Sequence, residues 1–513
     1  MKSYEIDGIV IYKENSTNEE SMSELLYDYN TQRGIDFDLL MGSFRIKIFD
    51  EKNNETFFFG DNSGNMCFYY NNDHACKFFL DLSSAGTPDL DRIAQFLMFG
   101  CIYDHGTIAK DVYRTNPDMY YTLKDGSITE NPKGLSGFEE LKPHTLEEIT
   151  ERYIKATIDK KKISVITGGY DSRTVLAHLL NKNTELELCI TGEPDHIDVK
   201  IAKQISETTR IPLYSFGEPA DTKDTNFIHN AFLASDGMYG VFSRYRLYNK
   251  SYNLKSMGYE AEFGGAAGEL YKNSFINQDF PFYRGKPDLN KFRKLKIPSG
   301  LYKTDIFTKS MQKKILDVEN SIFENLLFPE QNGKKSKFKT YTDIGYKIMQ
   351  HRIITLTNSS SRYLIPLIPL MERSLVASIY SNNPYSMECA YFQRKQISAF
   401  YPALKNIKTD RGLNCSDRVL SIVMDIVKYY KYLLCVYLKR RFAFFRSKQA
   451  EERIDMVFSV GMASEEYIGA INVCKQIGIL DEKVDGSSLP PVIADRLMTV
   501  GMVFDIRQVS DPI

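Results

Sequence analysis

The chain has 513 residues, of which 43% are hydrophobic, so it is long enough for two or three domains with packed cores. Its 65 basic and 66 acidic side chains leave a formal net charge of -1, which excludes an overall attraction to nucleic acid or to an anionic membrane. The eight cysteines are scattered without a C-x-x-C pair, which indicates neither a zinc knuckle nor a disulfide framework, so a reducing, cytoplasmic compartment fits best.

The N-terminal region alternates short apolar runs with turn residues. From Tyr4 to about Pro132, the runs IVIY, SFRIKIF, ETFFFG and MCFYY are separated by Asn, Gly and Asp clusters that favour turns. The pattern predicts an antiparallel β domain over residues 1–140. No signal-peptide core precedes it, and no stretch of the chain approaches the roughly 20 uninterrupted apolar residues that span a bilayer. We therefore expect no transmembrane segment.

From about Thr145 the pattern changes to alternating helices and strands, in the order LEEITERYIKATID, KISVIT, SRTVLAHLL, LELCIT, DVKIAKQISETT and IPLYSF. This alternation predicts a parallel sheet with right-handed crossovers, and thus an α/β domain over residues 145–415. Residues 416–513 are expected to form a helical extension.

Within that extension, residues 419–448 are aromatic, basic and of helical length. Asp425, Lys428 and Lys431 interrupt the apolar residues, so the segment is not suited to cross a membrane. An amphipathic helix at a membrane interface and a helix packed on the domain with its lysines in solvent both fit, and the second is favoured.

A glycine turn, TGGYDS at residues 167–172, separates a predicted buried strand from a predicted helix. Its glycines permit a close approach of the backbone, and a helix start adds unpaired N–H donors, which together make a cradle for an anion. The hydroxyls of Thr167 and Ser172 add donors, and Arg173 adds positive charge. Asp171 can hold a magnesium ion against phosphate oxygens. The alternative is an ordinary tight turn in which Asp171 or Ser172 caps the helix.

The same string resembles the Ser-Gly-Gly-x-Asp-Ser loop of the ATP-pyrophosphatases, and residues 1 to about 415 are similar to asparagine synthetase-type enzymes. In that family the loop binds the pyrophosphate of ATP. The resemblance therefore implies ATP as the cofactor and the following pyrophosphate-binding residues: Thr167, Gly168, Gly169, Asp171 and Ser172. It also implies that Thr191 and Gly192, after the next strand, lie beside the adenosine. Asp195 and Asp198 follow, and capping of the next helix is the favoured interpretation for them.

The stretch EAEFGGAAGELYKN resembles the family's Gly-Glu-Gly-x-Asp-Glu-Leu-Phe segment but lacks two of its acids. Gly265 stands where the family has a catalytic glutamate and Gly268 where it has an aspartate, while Glu269 is kept. The resemblance implies that Glu269 contacts Mg²⁺, as Asp171 does, or the substrate. A solvated acid at a helix start is the alternative.

Two basic residues are candidates for a catalytic role. The stretch YFQRKQISAFYPALKNIKTDRG resembles the part of the family that carries a lysine against the charge of the transition-state phosphate, and Lys408 and Arg411 occupy it here. A solvated basic loop is the alternative. Upstream, Glu372 replaces the aspartate of the family's Pro-Phe-Leu-Asp helix start, with an expected architectural role.

Residues 42–70 resemble the glutaminase half of the family, an Ntn-type β domain. The family's nucleophile is a cysteine at residue 2, exposed once Met1 is removed, and here residue 2 is Lys2. Asp7 aligns with the family's Cys-Gly-Ile stretch but is neither a thiol nor terminal. We predict a retained β scaffold without glutaminase activity.

The resemblance implies an ATP-dependent carbon-nitrogen ligase that forms AMP and pyrophosphate. Its partners would be a small-molecule, peptide or sugar carboxylate and an amine donor, with no nucleic acid. A homo-oligomer is compatible with the sequence. The rival hypothesis is a degenerate nucleotide-binding protein with a structural or interaction role. RNA thiolation is not indicated, because the chain lacks both a cysteine pair and a basic RNA-binding face.

Overall fold

The computed structural model describes residues 2–14, 17–31, 34–82, 86–217, 225–279, 283–296, 305–327, 335–428, 431 and 461–505. They form a mixed α/β protein with an antiparallel sheet in the N-terminal part and a parallel sheet later in the chain. This confirms the predicted fold class and the order of the two sheets. None of the helices in these ranges combines the length and the apolar character needed to span a bilayer.

The N-terminal part contains strands and two helices: β1 (Lys2–Tyr12), α1 (Asn18–Asn30), β2 (Leu40–Asp50), β3 (Glu55–Gly60), β4 (Tyr69–Tyr70), β5 (Ala75–Cys76), α2 (Leu90–Phe99), β6 (Tyr113–Arg114), β7 (Met119–Lys124) and β8 (Ser127–Pro132). The antiparallel sheet has the order β1-β2-β3-β7-β8, and β5-β4-β6 form a smaller sheet. Helix α1 begins where Thr17 and Glu20 form a reciprocal capping box. The strand pattern of this region contained no indication of α1 or α2.

The parallel sheet consists of β9 (Lys162–Val165), β10 (Glu187–Thr191), β11 (Leu213–Phe216), β12 (Ala261–Phe263) and β13 (Ile365–Leu367). Its order is β11-β10-β9-β12-β13, and every neighbouring pair is parallel. The sequence pattern predicts the first three of these strands. It does not identify β12 and β13, which have three residues each.

The remaining helices surround this sheet and continue towards the C-terminus: α3 (Leu146–Ala156), α4 (Asp171–Asn181), α5 (Ile197–Thr209), α6 (Thr225–Ser235), α7 (Tyr245–Ser256), α8 (Leu289–Lys296), α9 (Lys309–Leu327), α10 (Lys337–Ser360), α11 (Arg373–Tyr380), α12 (Tyr391–Phe400), α13 (Glu465–Gln476) and α14 (Pro491–Phe504). Helix α14 packs on α13 and reaches back to α2, where Arg496 Nη1 donates to the Leu97 carbonyl at 2.6 Å. The last helices thus pack against the N-terminal part of the chain.

Residues 419–428 are also helical, but their apolar side chains are not packed on the domain. Val419, Leu420 and Val427 are 76%, 71% and 61% exposed, whereas Asp425 is buried. The helix thus contacts the domain through Asp425, which accepts from Arg394 at 2.8 Å, and Lys428 is exposed as the favoured interpretation expects, but several of its apolar side chains face solvent. Apart from residue 431, the rest of 419–448 lies outside the described residues.

Two buried polar side chains join the antiparallel sheet to the parallel part. Arg45 of β2 is fully buried and donates to Asp7 Oδ2 at 2.5 Å and to Ser361 Oγ at 2.9 Å. Glu372 accepts from the Tyr153 hydroxyl at 2.5 Å and from the Gly42 amide at 3.0 Å. An apolar core that includes residues of both parts surrounds these contacts.

The buried His178 of α4 generates a prediction about acid stability. Burial lowers the pKa of His178 from 6.5 to about 4, and its Nε2 pairs with Gln396 Oε1 at 2.9 Å. Between these two pH values the unfolded state binds a proton that the folded state does not bind. His178 therefore removes up to about 1.4 kcal/mol of stability for each pH unit of acidification in this range.

We expect His178→Leu to reduce the dependence of the unfolding free energy on pH between 6.5 and 4, measured by urea denaturation at several pH values. The side chain of His74 is 69% exposed, so His74→Leu is the matched control and should leave the slope unchanged. Parallel curves for wild type and His178→Leu would contradict the prediction.

Candidate functional site

The turn of residues 167–172 lies between the end of β9 and the start of α4, as predicted. The chain leaves β9 for β10 and β11 on one side of the sheet and returns to β12 on the other side. Ligands of open parallel sheets bind at the carboxyl ends of the strands where the direction of winding changes in this way. The turn occupies that position in this fold.

A cavity of about 350 Å³ adjoins the turn. Thr167, Asp171 and Ser172 line it from the turn, and Gly264 and Gly265 line it from the end of β12. Apolar and tyrosine side chains of α7 and α10 form much of the remaining wall. A mainly apolar cavity of this size with a few polar groups is typical of a small-molecule site.

The amide donors of the turn are bonded to oxygens of the protein itself. The Thr167 amide donates to Ser172 Oγ at 3.0 Å, and the Gly168 amide donates to Asp198 Oδ1 at 3.0 Å. An anion that binds these amides must replace both acceptors, and Asp198 must move because it carries the same sign of charge. Asp198 therefore contacts the turn instead of serving only as a helix cap. Asp195 is fully exposed beside Lys200.

Asp171, the first residue of α4, already has a cationic partner. Its Oδ2 lies 2.6 Å from Lys272 Nζ, and its Oδ1 accepts from Gln393 Nε2 at 3.1 Å. Burial raises the pKa of Asp171 above its ordinary value, Lys272 opposes this effect, and Glu269 adds to it. Asp171 and Glu269 are thus close enough to interact electrostatically.

These residues do not fit a resident magnesium ion in the present arrangement. Mg²⁺ prefers an octahedral set of oxygen ligands, whereas the ammonium of Lys272 occupies one side of Asp171. Across the described ranges, no three His, Cys, Asp or Glu side chains are grouped so that they could hold a metal. Glu269 is exposed and, together with Lys272, lines a second cavity.

Gly265 and Gly268 leave no room for the acids that the resembling family has at these positions. A Cβ atom on Gly265 would lie 2.3 Å from the Ser172 amide nitrogen, and one on Gly268 would lie 2.0 Å from Asp171 Cγ. Real Cβ atoms do not approach other atoms this closely. The first turn of α4 packs directly against these two glycines.

Arg173 does not line the cavity, which corrects the expectation that it adds charge at the rim. It is fully buried, and its Nη1 donates to the Ile407 carbonyl at 2.7 Å and to Cys415 Sγ at 2.9 Å. Its Nη2 lies 3.4 Å from the Gly168 carbonyl. The guanidinium therefore links residues 404–415 to the glycine turn through hydrogen bonds.

The hydrogen bonds of Arg173 bring Arg411, one of the two basic residues predicted to be catalytic, close to the turn. The Asp410 amide donates to the Gly168 carbonyl at 3.2 Å. Arg411 lines the second cavity, of about 190 Å³, together with Glu269, Lys272 and Tyr170. Lys408 is exposed and does not line either cavity.

Thr191 is the last residue of β10 and Gly192 follows it, at the same edge of the sheet as the turn. The Gly192 amide donates to the Phe216 carbonyl at 2.9 Å, and its φ of +143° favours glycine. Neither residue lines the two cavities. A contact of these two residues with adenosine stays a prediction.

Two polar features of the site had no recognisable sequence signal. One is Lys272, which becomes the partner of Asp171 only in the folded chain. The other is an ion pair between Lys250 and Glu262 at the larger cavity. Burial opposes the charge on Lys250, but Glu262 outweighs it and leaves the pKa of Lys250 above its ordinary value.

No family model matches the chain, and no curated protein matches it. The resemblance to asparagine synthetase-type enzymes therefore depends on the motif residues alone.

The close packing at Gly265 generates a stability prediction. We expect Gly265→Ala to lower the unfolding free energy by about 1–3 kcal/mol or more, because the nearest atoms belong to the backbone of α4. Gly137 has no neighbour within 4 Å of an added Cβ, so Gly137→Ala should change stability by less than about 1 kcal/mol. Urea denaturation of both variants measures the difference, and equal values would contradict the described packing.

Proposed function

We propose that the chain catalyses ATP-dependent amide-bond formation through an acyl-adenylate. The observation that carries this proposal is the position of the TGGYDS turn. It lies at the carboxyl end of β9, where the winding of the sheet changes direction, and opens into a cavity large enough for a small molecule. A turn of this composition before a helix start suits a pyrophosphate.

In the proposed reaction, ATP enters as its magnesium complex, with its phosphates at residues 167–172. A substrate carboxylate oxygen bonds to the α-phosphorus while the bond from that phosphorus to the β,γ-pyrophosphate breaks. An amine then bonds to the acyl carbon, AMP leaves with the electron pair of the acyl–oxygen bond, and the amine loses a proton. Such an enzyme acts mainly by positioning the reactants and stabilising developing charge.

The described residues support distinct roles in this scheme. The hydroxyls of Thr167 and Ser172 are donors at the rim of the larger cavity. Lys272 and Arg411 line the second cavity and supply cations for the phosphates or for a substrate carboxylate. Because Asp171 contacts Lys272 and also lines the larger cavity, it connects the two cavities and positions the lysine.

The nitrogen donor is proposed to come from outside this chain. Lys2 occupies the position of the family's cysteine nucleophile, and Asp7 is paired with the buried Arg45. Free ammonia or an amino group of a second substrate would therefore capture the acyl-adenylate.

The second candidate is a nucleotide-binding protein without catalysis. Two observations favour it: the amides of the turn are bonded to Ser172 and Asp198, and glycine replaces two acids at Gly265 and Gly268. In that case the closed turn is the resting structure, and the cavity has a regulatory or structural role.

Exchange of radiolabelled pyrophosphate into ATP, across a panel of carboxylates, separates the two candidates. We expect pyrophosphate to exchange into ATP only when carboxylates of one chemical class are present. Asp171→Asn keeps the shape but frees Lys272, and should reduce exchange at least about tenfold. Asp195→Asn, at a fully exposed side chain, is the control that should match wild type. A rise in melting temperature with MgATP but no exchange favours the second candidate. If MgATP causes neither a rise in melting temperature nor exchange, both candidates are rejected.

The role of Lys272 can be tested by binding alone. We expect Lys272→Met to weaken ATP binding roughly tenfold or more, because the charge facing the phosphates would change from a neutral ion pair to an unpaired carboxylate. Isothermal titration calorimetry measures this, with Lys200→Met on the exposed surface of α5 as the control. Unchanged affinity in Lys272→Met would place the phosphates elsewhere.

A further inference from the structure

A third cavity, of about 240 Å³, lies between the segment Tyr103–Asp118 and helix α10, away from the glycine turn. Arg114, His105, His351 and Lys347 line it, with Asn116 and Gln350. No part of the proposed reaction uses these residues. Their arrangement is that of a site for an anion.

Arg114 is a buried cation without a counterion among the described residues. It is 1% exposed, and its Nη2 donates to the carbonyls of Ile102 at 2.8 Å and Asp104 at 2.7 Å. Its Nη1 is buried and has no hydrogen-bond partner. By contrast, the buried Arg45 and Arg394 each contact an aspartate, at 2.5 and 2.8 Å, and the buried Arg173 has protein acceptors for both of its terminal nitrogens. A buried guanidinium nitrogen without an acceptor is unfavourable, and a bound anion would supply the acceptor that Arg114 Nη1 lacks.

Two neutral histidines extend the donor set. Their rings lie 5.4 Å apart, and Arg114 Nη2 lies 2.6 Å from His351 Nδ1. A guanidinium only donates, so His351 Nδ1 accepts and the ring proton is on Nε2. Among the residues that the structure describes, the Nδ1 of His105 is buried without a partner. Burial, Arg114 and Lys347 together lower the pKa of His105 to about 3 against an opposing effect of Asp104, and the same three causes lower the pKa of His351 well below its ordinary value.

The acidic residues at this cavity already have cationic partners. Asp104 accepts from Arg92 Nε at 3.0 Å and from the Gly106 amide at 2.7 Å. Asp118 lies 3.9 Å from Arg373 Nη1. Both carboxylates are therefore already engaged by other cations, and the effect of Arg114 on the pKa of His105 exceeds the opposing effect of Asp104.

We propose that this cavity binds a small oxyanion, a phosphate or carboxylate group, between Arg114, the two histidines and Lys347. The guanidinium supplies the main charge, and the imidazole and amide side chains supply directional hydrogen bonds. Burial and the charge of Arg114 lower the pKa of both histidines, so the anion would meet neutral imidazole donors beside the two cations.

Isothermal titration calorimetry with sodium sulfate, at constant ionic strength set by sodium chloride, tests this proposal in the full-length protein. Sulfate does not titrate between pH 7.5 and 5.5, so any pH dependence belongs to the protein. We expect one saturable site per chain, with similar affinity at pH 7.5 and 5.5, because both histidines stay neutral in this range. Inorganic phosphate and succinate, measured at pH 7.5, then distinguish a phosphate from a carboxylate ligand.

Lys347 is exposed, so Lys347→Gln should fold normally, and we expect it to weaken sulfate binding about fivefold. Arg114→Gln should abolish binding, with circular dichroism to verify folding. Lys203→Gln, at an exposed lysine of α5, is the control and should bind as wild type does. The absence of saturable binding in wild type, or equal affinity in wild type and Lys347→Gln, would overturn the proposal.

Discussion

The candidate site depends on one buried charge, the guanidinium of Arg173. Its donors reach the carbonyl of Gly168 in the turn and the carbonyls of Leu404 and Ile407, which are more than 200 positions away in the chain. A buried cation without a carboxylate partner must be stabilised by several acceptors at once, so these backbone segments hold one another in place. The turn is therefore held against residues 404–407, and Arg411, a few residues later, lies close to the turn. Arg173, which the sequence suggested as a contact to the ligand, instead holds the segments of the site together.

Close packing at Gly265 and Gly268 and the charge of Lys272 together determine the arrangement around Asp171. Gly265 and Gly268 allow the first turn of α4 to approach β12 more closely than any other residue would permit. The site then retains Asp171 as its buried carboxylate, and Lys272 neutralises it at 2.6 Å. A glutamate or aspartate added at either glycine would clash with α4 and would also leave unpaired negative charge. Packing and electrostatics thus favour the same arrangement, in which Lys272 is the cationic partner of the buried carboxylate.

The sequence predicted those features whose signal is local and periodic. The strands β9 to β11 and helices α4 and α5 repeat an apolar pattern long enough to identify, and the glycine turn lies between two of them. The short strands β12 and β13 have too few residues for a period, and their pairing depends on neighbours far along the chain. The roles of Arg173, Lys272 and Arg114 were not predictable for a related reason. The position of a cation in the sequence does not show whether folding will bury it or which acceptor it will meet.

Buried polar contacts join the N-terminal sheet to the parallel part of the chain. Asp7 pairs with Arg45, which also donates to Ser361 at the end of α10. Glu372 fixes the opposite side of the same junction, and burial raises its pKa to about 7 while hydrogen bonds from Tyr153 and Gly42 oppose that rise. Replacement of Arg45 or of Glu372 by an apolar residue would leave buried polar partners without hydrogen bonds in both parts of the protein. The two parts of the protein therefore depend on each other for the hydrogen bonds of these buried groups.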